Sequence, residues 1–100
     1  MCAYLIVKSD ASQINKENFD QWYETEHLLE AKEQFGAIKA KRGWIENTNY
    51  HLAFYEFENI KKAKVAINSK KLQELIKKFD KKWNSKVTRS RELVNLEQIL

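Results

Sequence analysis

Hydrophobic and polar residues alternate in four stretches of the chain and recur at helical spacing in two others. Alternation with a period of two predicts strands over residues 2–9, 37–46 and 50–57, and a fourth within residues 86–100. Apolar residues three or four positions apart predict a helix over residues 16–35 and a second helical region after Asn59. The order β-α-β-β-α-β predicts an α+β fold, a ferredoxin-like antiparallel sheet with the helices on one face and an open opposite face. We expect function on that open face.

Short polar residues and glycine mark the ends of the predicted helices. Asn15 is expected to cap the first helix, because an asparagine oxygen can accept a hydrogen bond from a free backbone N–H group. Gly36 is expected to end that helix, since glycine adopts the left-handed conformation freely. Asn59 can cap the second helical region, which we expect to break at Asn68-Ser69, where its apolar stripe changes phase.

The first predicted helix carries two stripes of residues, each with apolar members, that lie on nearly opposite faces of a straight helix. One comprises Phe19, Trp22, Tyr23, Glu26 and Glu30, and the other comprises Leu28, Ala31 and Phe35. A straight helix could bury only one stripe, so we expect a kink or a change of register near His27. This would place Glu26 and His27 at the joint.

Composition restricts the class of protein more than its chemistry. A chain of 100 residues fits one domain, here residues 1–100, and 43% hydrophobic with 32% charged residues is typical of a globular protein. No apolar run approaches the roughly 20 residues of a membrane span, and the first residues do not resemble a signal peptide. The single cysteine, Cys2, excludes an internal disulfide. We therefore expect a cytoplasmic protein with no membrane partner.

The net charge of +4 raises the question of nucleic-acid binding. We interpret the lysine pairs of the second helical region as a solvated face, because surface lysine commonly keeps small domains soluble. RNA-recognition domains share the predicted element order and stack bases on strand aromatics, for which Tyr4, Phe54 and Tyr55 are candidates. Residues 50–52, however, lack the basic residue, glycine and aromatic of the RNA-recognition motif. RNA binding remains the alternative function.

Residues 10–28 resemble the first helix of the EthD-like and related dimeric α+β-barrel proteins, an aromatic helix that ends in a histidine before a short break. The matching residues are Phe19, Trp22, Tyr23, Glu26 and His27, with Phe35-Gly36 and the strand segment Tyr55-Glu56-Phe57. The resemblance implies that two copies pair their open sheet faces as a homodimer, a dimeric α+β barrel with a small-molecule cavity in each subunit. It also implies that any reaction proceeds without a metal or bound cofactor.

The candidate site centres on His27, because histidine changes charge near neutral pH. We expect His27 to transfer a proton or polarise a carbonyl group, and Glu26 to orient it. The candidates for ligand binding are Trp22, Tyr23, Arg42, Trp44 and Tyr55. Arg42 would hold an anionic oxygen, since the guanidinium fork matches a carboxylate or an enolate.

Structural roles are the alternative for these residues. Aromatic stripes at helical spacing usually pack a core. Arg42, Arg89 and Arg91 could instead pair with strand glutamates, namely Glu46, Glu56 or Glu92. No metal site is expected, because two distant histidines and one cysteine have no metal-ligand spacing.

The functional hypothesis is a homodimeric protein that binds a small aromatic or oxidised metabolite. If it is an enzyme, it would be a cofactor-independent oxygenase, isomerase or lyase. A non-catalytic or purely structural dimer stays open, because nothing in the sequence separates binding from catalysis.

Overall fold

The computed structural model describes residues 1–100 and contains one four-stranded antiparallel sheet. The strands are β1 (Ala3–Asp10), β2 (Lys39–Trp44), β3 (Tyr50–Phe57) and β4 (Thr88–Asn95). They lie in the order β2-β3-β1-β4, and each neighbouring pair is antiparallel. One helical region connects β1 to β2 and another connects β3 to β4. The predicted ferredoxin-like α+β fold is therefore confirmed.

Four α-helices and one π-helical turn connect the strands. They are α1 (Lys16–Trp22), the π segment (Tyr23–His27), α2 (Leu28–Phe35), α3 (Ile60–Ile67) and α4 (Lys70–Lys82). The side-chain oxygens of Asn15, Asn59 and Ser69 accept backbone hydrogen bonds in the first turns of α1, α3 and α4. Gly36, with φ of 70°, ends α2. These termini and the break before α4 confirm the predictions, and no helix is long and apolar enough to cross a bilayer.

The first helical region changes register at the place where its two apolar stripes conflict. In the π segment the Leu28 N–H donates to the Tyr23 carbonyl, five residues earlier, so the turn holds one more residue than an α-helical turn. This extra residue brings His27 and Ala31 onto the buried side of the helix and leaves Glu26 exposed. The expected change of register is confirmed, and every later residue of the buried stripe is displaced by one position.

The core lies between the helices and one face of the sheet. The strand side chains that point into it are Ala3, Leu5, Val7 and Ser9 of β1 and His51, Ala53, Tyr55 and Phe57 of β3. Phe19 from α1 and Phe79 from α4 meet them with ring centroids 5.9 Å apart. Full burial of a phenylalanine contributes about 1.5–3 kcal/mol, so these rings hold the helices on the sheet.

The opposite face of the sheet is uncovered, as predicted. It presents the partly buried side chains of Tyr4, Ile6, Leu52, Phe54 and Val94. The Tyr4 hydroxyl donates to Glu56 Oε1 across the β1–β3 pair at 2.7 Å. An apolar centre with polar neighbours is therefore exposed on the single chain.

Candidate functional site

A group of polar side chains lies inside the otherwise apolar layer between helices and sheet. This polar cluster comprises Ser9, Tyr23, His27, Arg42, His51, Tyr55, Arg89 and Arg91. Burying polar groups destabilises a fold unless they are hydrogen-bonded, so their concentration here requires a reason. No three His, Cys, Asp and Glu side chains of the chain come together in a way that could hold a metal ion.

His27 ends the π segment, and its ring is held among aromatic side chains. The residue is 7% exposed, and its ring stacks on Trp22 with centroids 4.3 Å apart and an interplanar angle of 13°. The Tyr23 ring meets it edge-on at 4.8 Å. Burial lowers the pKa of His27 to about 4, although Glu30 raises it, so the imidazole is neutral at physiological pH.

Glu30, rather than Glu26, is the carboxylate beside this ring. Glu30 Oε1 lies 4.0 Å from His27 Nδ1, and both atoms are buried without a hydrogen-bond partner. Glu30 Oε2 accepts a hydrogen bond from Lys78 Nζ at 2.6 Å. Glu26 lies on the exposed side, with Oε1 3.6 Å from the same Nζ atom. A straight helix would place Glu26 in the buried stripe. The π segment shifts the register by one residue, so Glu26 lies outside that stripe.

Two buried tyrosines adjoin His27. Tyr23 and Tyr55 are each 1% exposed. Burial raises the pKa of Tyr23 to about 12, an effect partly offset by a hydrogen bond from Tyr55 and by nearby arginines. Burial likewise raises the pKa of Tyr55 well above its ordinary value. Both phenols therefore stay protonated near neutral pH and can donate a hydrogen bond.

A small cavity lies between α4 and part of the polar cluster. Its polar wall consists of Tyr23, His27, Tyr55, Arg89 and Arg91, and Leu72, Leu75 and Ile76 of α4 form much of its apolar wall. The volume is about 20 Å³, which is room for about one water molecule. In this conformation the cavity has no room for anything larger.

The three arginines all lie on the helix-covered face, but their partners differ. Arg42 Nη1 donates to Asp20 Oδ1 at 2.7 Å, and Arg89 Nη2 donates to Asp80 Oδ1 at 2.6 Å. Arg91 forms no ion pair and lines the cavity. Both carboxylate partners come from helices, so the predicted alternative of pairing with strand glutamates is wrong for Arg42 and Arg89. The uncompensated positive charge at the cavity belongs to Arg91.

Arg42 and His51, two members of the polar cluster, lie away from the cavity, where β2 meets α1. Asp20 Oδ1 accepts hydrogen bonds from Arg42 and, at 2.8 Å, from Trp44 Nε1, and these two bonds lower the pKa of Asp20. His51 is fully buried beside them, with Nε2 3.4 Å from Arg42 Nη1 and Nδ1 without a partner. Burial, followed by the Arg42 charge, lowers the pKa of His51 to about 4. Arg42 and Trp44 are thus bonded within the protein and do not line the cavity.

Two solved structures share this arrangement of strands and helices. An ethyl tert-butyl ether D (EthD) family protein from Bacillus halodurans matches 99% of this chain and 100% of its own, with a TM-score of 0.69 and 17% sequence identity. The fold is EthD-like. An uncharacterised NIPSNAP-like domain protein from Burkholderia xenovorans matches 99% of this chain and 88% of its own, with a TM-score of 0.61 and 12% identity. No family model and no curated protein matches the sequence. The two structural matches therefore confirm the EthD-like resemblance at the level of the fold.

The EthD-like fold brings together only part of the predicted site. His27, Tyr23 and Tyr55 line one cavity, and Trp22 supports His27 from behind. Arg42 and Trp44 lie apart from it at Asp20, and Glu26 lies outside. Sequence reasoning missed Glu30 and assigned no ligand role to Arg91. The available signals were the i, i+3 spacing of Glu30 from His27 and the shared face of Arg89 and Arg91.

The open face of the EthD-like sheet differs from the expected RNA-binding platform. Tyr55 points into the helix-covered core, so only Tyr4 and Phe54 of the three candidate aromatics lie on the open face. The Tyr4 hydroxyl is bonded to Glu56, whose carboxylate would repel nucleic-acid phosphates. Arg42, Trp44 and Tyr55 lie on the helix-covered face and not on the open face, where function was expected.

Proposed function

We propose that this protein is a homodimer that binds a small anionic metabolite between the helices and the sheet of each subunit. The observation that carries the proposal is the small cavity beneath the π segment, whose lining includes the neutral His27, two tyrosines and the unpaired Arg91. Binding sites typically combine an apolar wall with a few convergent polar groups. A ligand with acceptor oxygens could accept hydrogen bonds from the tyrosine hydroxyl and guanidinium groups of this lining.

The charge of the cavity favours a carboxylate or enolate ligand. Arg91 has no carboxylate partner, whereas Arg42 and Arg89 are each paired with an aspartate. A guanidinium group can bind the two oxygens of a carboxylate at once, and Tyr23 can donate a further hydrogen bond. The role first assigned to Arg42, that of holding an anionic oxygen, therefore passes to Arg91 in this proposal.

The same groups would support proton transfer. A neutral His27 imidazole can remove a proton from carbon beside a carbonyl group, and the electron pair then moves onto the carbonyl oxygen. Arg91 and Tyr23 would stabilise the negative charge that develops on that oxygen. Isomerase or lyase chemistry on a small aromatic or oxidised metabolite fits these roles, and binding without turnover needs the same contacts.

Ligand entry would require α4 to move. Leu72, Leu75 and Ile76 line the cavity, and a volume of about 20 Å³ admits only water. The α3–α4 joint at Asn68-Ser69 supplies a hinge position, since hinges lie at the ends of elements. Opening would also separate Lys78 from Glu30, an ion pair between α4 and α2.

The open sheet face supports the homodimer. Tyr4, Ile6, Leu52 and Phe54 form an apolar surface at its centre. A chain of 100 residues buries a smaller fraction of its surface than larger domains do, so covering this face would add to a thin core. A second copy packed sheet to sheet would be isologous, which is the commonest symmetry of soluble dimers.

Native mass spectrometry after gentle purification tests ligand binding. We expect the wild-type protein to carry a small anionic molecule that denaturation releases. His27→Ala should lose at least about nine-tenths of it, because the variant removes the imidazole from the wall of the cavity. Glu24→Gln is the matched control, since Glu24 is exposed in the same π segment.

The proposal is wrong if two results occur together. The first is that wild-type protein releases no small molecule. The second is that no member of a panel of aromatic and aliphatic carboxylic acids raises the melting temperature of the wild-type protein more than that of His27→Ala.

A further inference from the structure

We infer that Glu30 is a positioning residue, which accepts the Nδ1–H proton of His27 and so leaves Nε2 as the acceptor that faces a ligand. This inference deepens the proposed function, on which it rests for the identity of the site. It assigns to Glu30 the role of orienting His27, which the sequence analysis expected of Glu26.

The two atoms concerned are each other's available partners. His27 Nδ1 and Glu30 Oε1 are both fully buried without a hydrogen bond, and they lie 4.0 Å apart. Leaving either atom unbonded is costly, and one hydrogen bond satisfies both. An approach of about 1 Å brings them to the usual N–H···O separation of about 2.9 Å. Catalytic hydrogen bonds are often long in ligand-free proteins and shorten in the complex.

The surroundings of His27 allow this approach and oppose other positions of the ring. Trp22 stacks on one face at 4.3 Å, while Tyr23 and Phe79 meet the ring at 4.8 Å and 5.5 Å. These contacts keep the ring in its plane, within which it can shift towards Glu30. The terminal torsion of glutamate is broad, so Glu30 Oε1 can also turn towards the ring at little cost.

Lys78 holds the carboxylate in place from the other side. Its Nζ atom lies 2.6 Å from Glu30 Oε2, which leaves Oε1 free to turn to the imidazole. Burial disfavours a protonated His27 and outweighs the opposite effect of Glu30, and the positive charges of Arg89 and Lys78 add to it. The Glu30 pair therefore takes the form of a neutral imidazole that donates to a carboxylate, and not of an ion pair.

The consequence concerns the tautomer of the imidazole. In a neutral histidine one nitrogen carries the proton and the other accepts, and the hydrogen bond made by one nitrogen decides the state of the other. Glu30 accepts from Nδ1, so Nε2 carries a lone pair. A base or acceptor in the cavity needs this lone pair, whereas the opposite tautomer would present an N–H donor.

Side-chain ¹H–¹⁵N correlation spectra of ¹⁵N-labelled protein at pH 7 read this tautomer directly and need no ligand. In the wild-type protein we expect about a tenfold excess of the Nδ1–H form of His27, because a charged acceptor strengthens the bond. Glu30→Ala should abolish this excess. Glu26→Gln should leave it unchanged, since Glu26 shares the contact with Lys78 but lies farther from it and is exposed.

The wild-type spectrum alone can overturn the inference, even if Glu30→Ala does not fold. A predominant Nε2–H form in the wild-type protein contradicts it, and so does a folded Glu30→Ala protein that keeps the Nδ1–H excess. Failure of the ligand experiment with a predominant Nδ1–H form would refute the proposed function while leaving Glu30 as the partner of His27. Retention of a ligand together with a predominant Nε2–H form would support the proposed function and refute the role of Glu30.

Discussion

His27 and His51 link the stability of the fold to pH at the scale of single residues. Burial lowers the pKa of each histidine to about 4, whereas an unfolded chain binds these protons near pH 6.5. Below about pH 6.5 the unfolded state therefore takes up protons that the folded state refuses. The stability that both residues contribute is fully present above that value and is lost as the pH falls towards 4.

We predict that His27→Gln removes part of this pH dependence. Between pH 7 and pH 4 the wild-type free energy of unfolding should fall by on the order of 2–3 kcal/mol for each buried histidine. For His27→Gln this fall in the free energy of unfolding should be smaller by one such contribution, because the variant has one buried histidine fewer. Urea denaturation of both proteins across this range measures the difference, and the carboxylates shared by both proteins cancel. Parallel pH profiles for the two proteins would contradict the assignment of a low pKa to His27.

Residue-scale reasoning singled out His27, Tyr23 and Tyr55 from their chemistry and their place in the sequence pattern, and the structure brings these three side chains to one cavity. The pairing of Arg42 with Asp20 and the freedom of Arg91 were not found. These depend on contacts between elements distant in the chain, which neither periodicity nor residue type encodes.

The π segment is the element that most affects the site. A π-helical turn accommodates one extra residue while the helices on either side keep their faces towards the core. Without it, α1 and α2 would present Glu26 where His27 now lies. The conflict between the two stripes could be detected in the sequence, but its resolution as a π turn required the backbone hydrogen bond from Leu28 to Tyr23.

Deletion of Thr25 tests this account. Thr25 is exposed, and removing it should join α1 and α2 as a regular α-helix with both buried faces retained. We expect the free energy of unfolding to stay within about 1 kcal/mol of wild type, as for other surface changes. The ligand of the proposed function should be retained as well, because His27 then follows Trp22 by four residues and stays on the same buried face. Urea denaturation and native mass spectrometry measure the two effects.

Deletion of Glu74 in α4 is the matched control. Glu74 is also exposed, but α4 has no extra residue, so the deletion rotates part of the helix by about 100°. Leu75 and Phe79 would leave the core, at a cost of more than about 3 kcal/mol. Equal destabilisation by the two deletions would show that the π segment absorbs no residue.

At the scale of the whole molecule, the uncovered face of the sheet is the surface available to a second copy of the chain. We predict a dimer of twice 11.9 kDa in solution. Phe54→Lys should weaken association at least about 100-fold, because a lysine would be buried without a partner at the centre of the interface. Light scattering after size exclusion at several protein concentrations measures both states.

Val65→Lys is the control for this change. Val65 is 67% exposed on α3, away from the open face, and the same apolar-to-lysine exchange there should leave the dimer intact. A wild-type protein that stays monomeric at high concentration, or a Val65→Lys protein that dissociates as readily as Phe54→Lys, would refute sheet-to-sheet pairing.

The sequence by itself determined the types, order and ends of the elements, and the position at which the first helical region changes register. These features depend on hydrophobic period and on hydrogen bonds between residues close in the chain, so the local pattern contains them. Only the tertiary structure decided that Glu30 adjoins His27, that Arg91 is unpaired and that the cavity has room for about one water molecule. Each depends on ångström-scale distances between side chains, which folding of the whole chain sets.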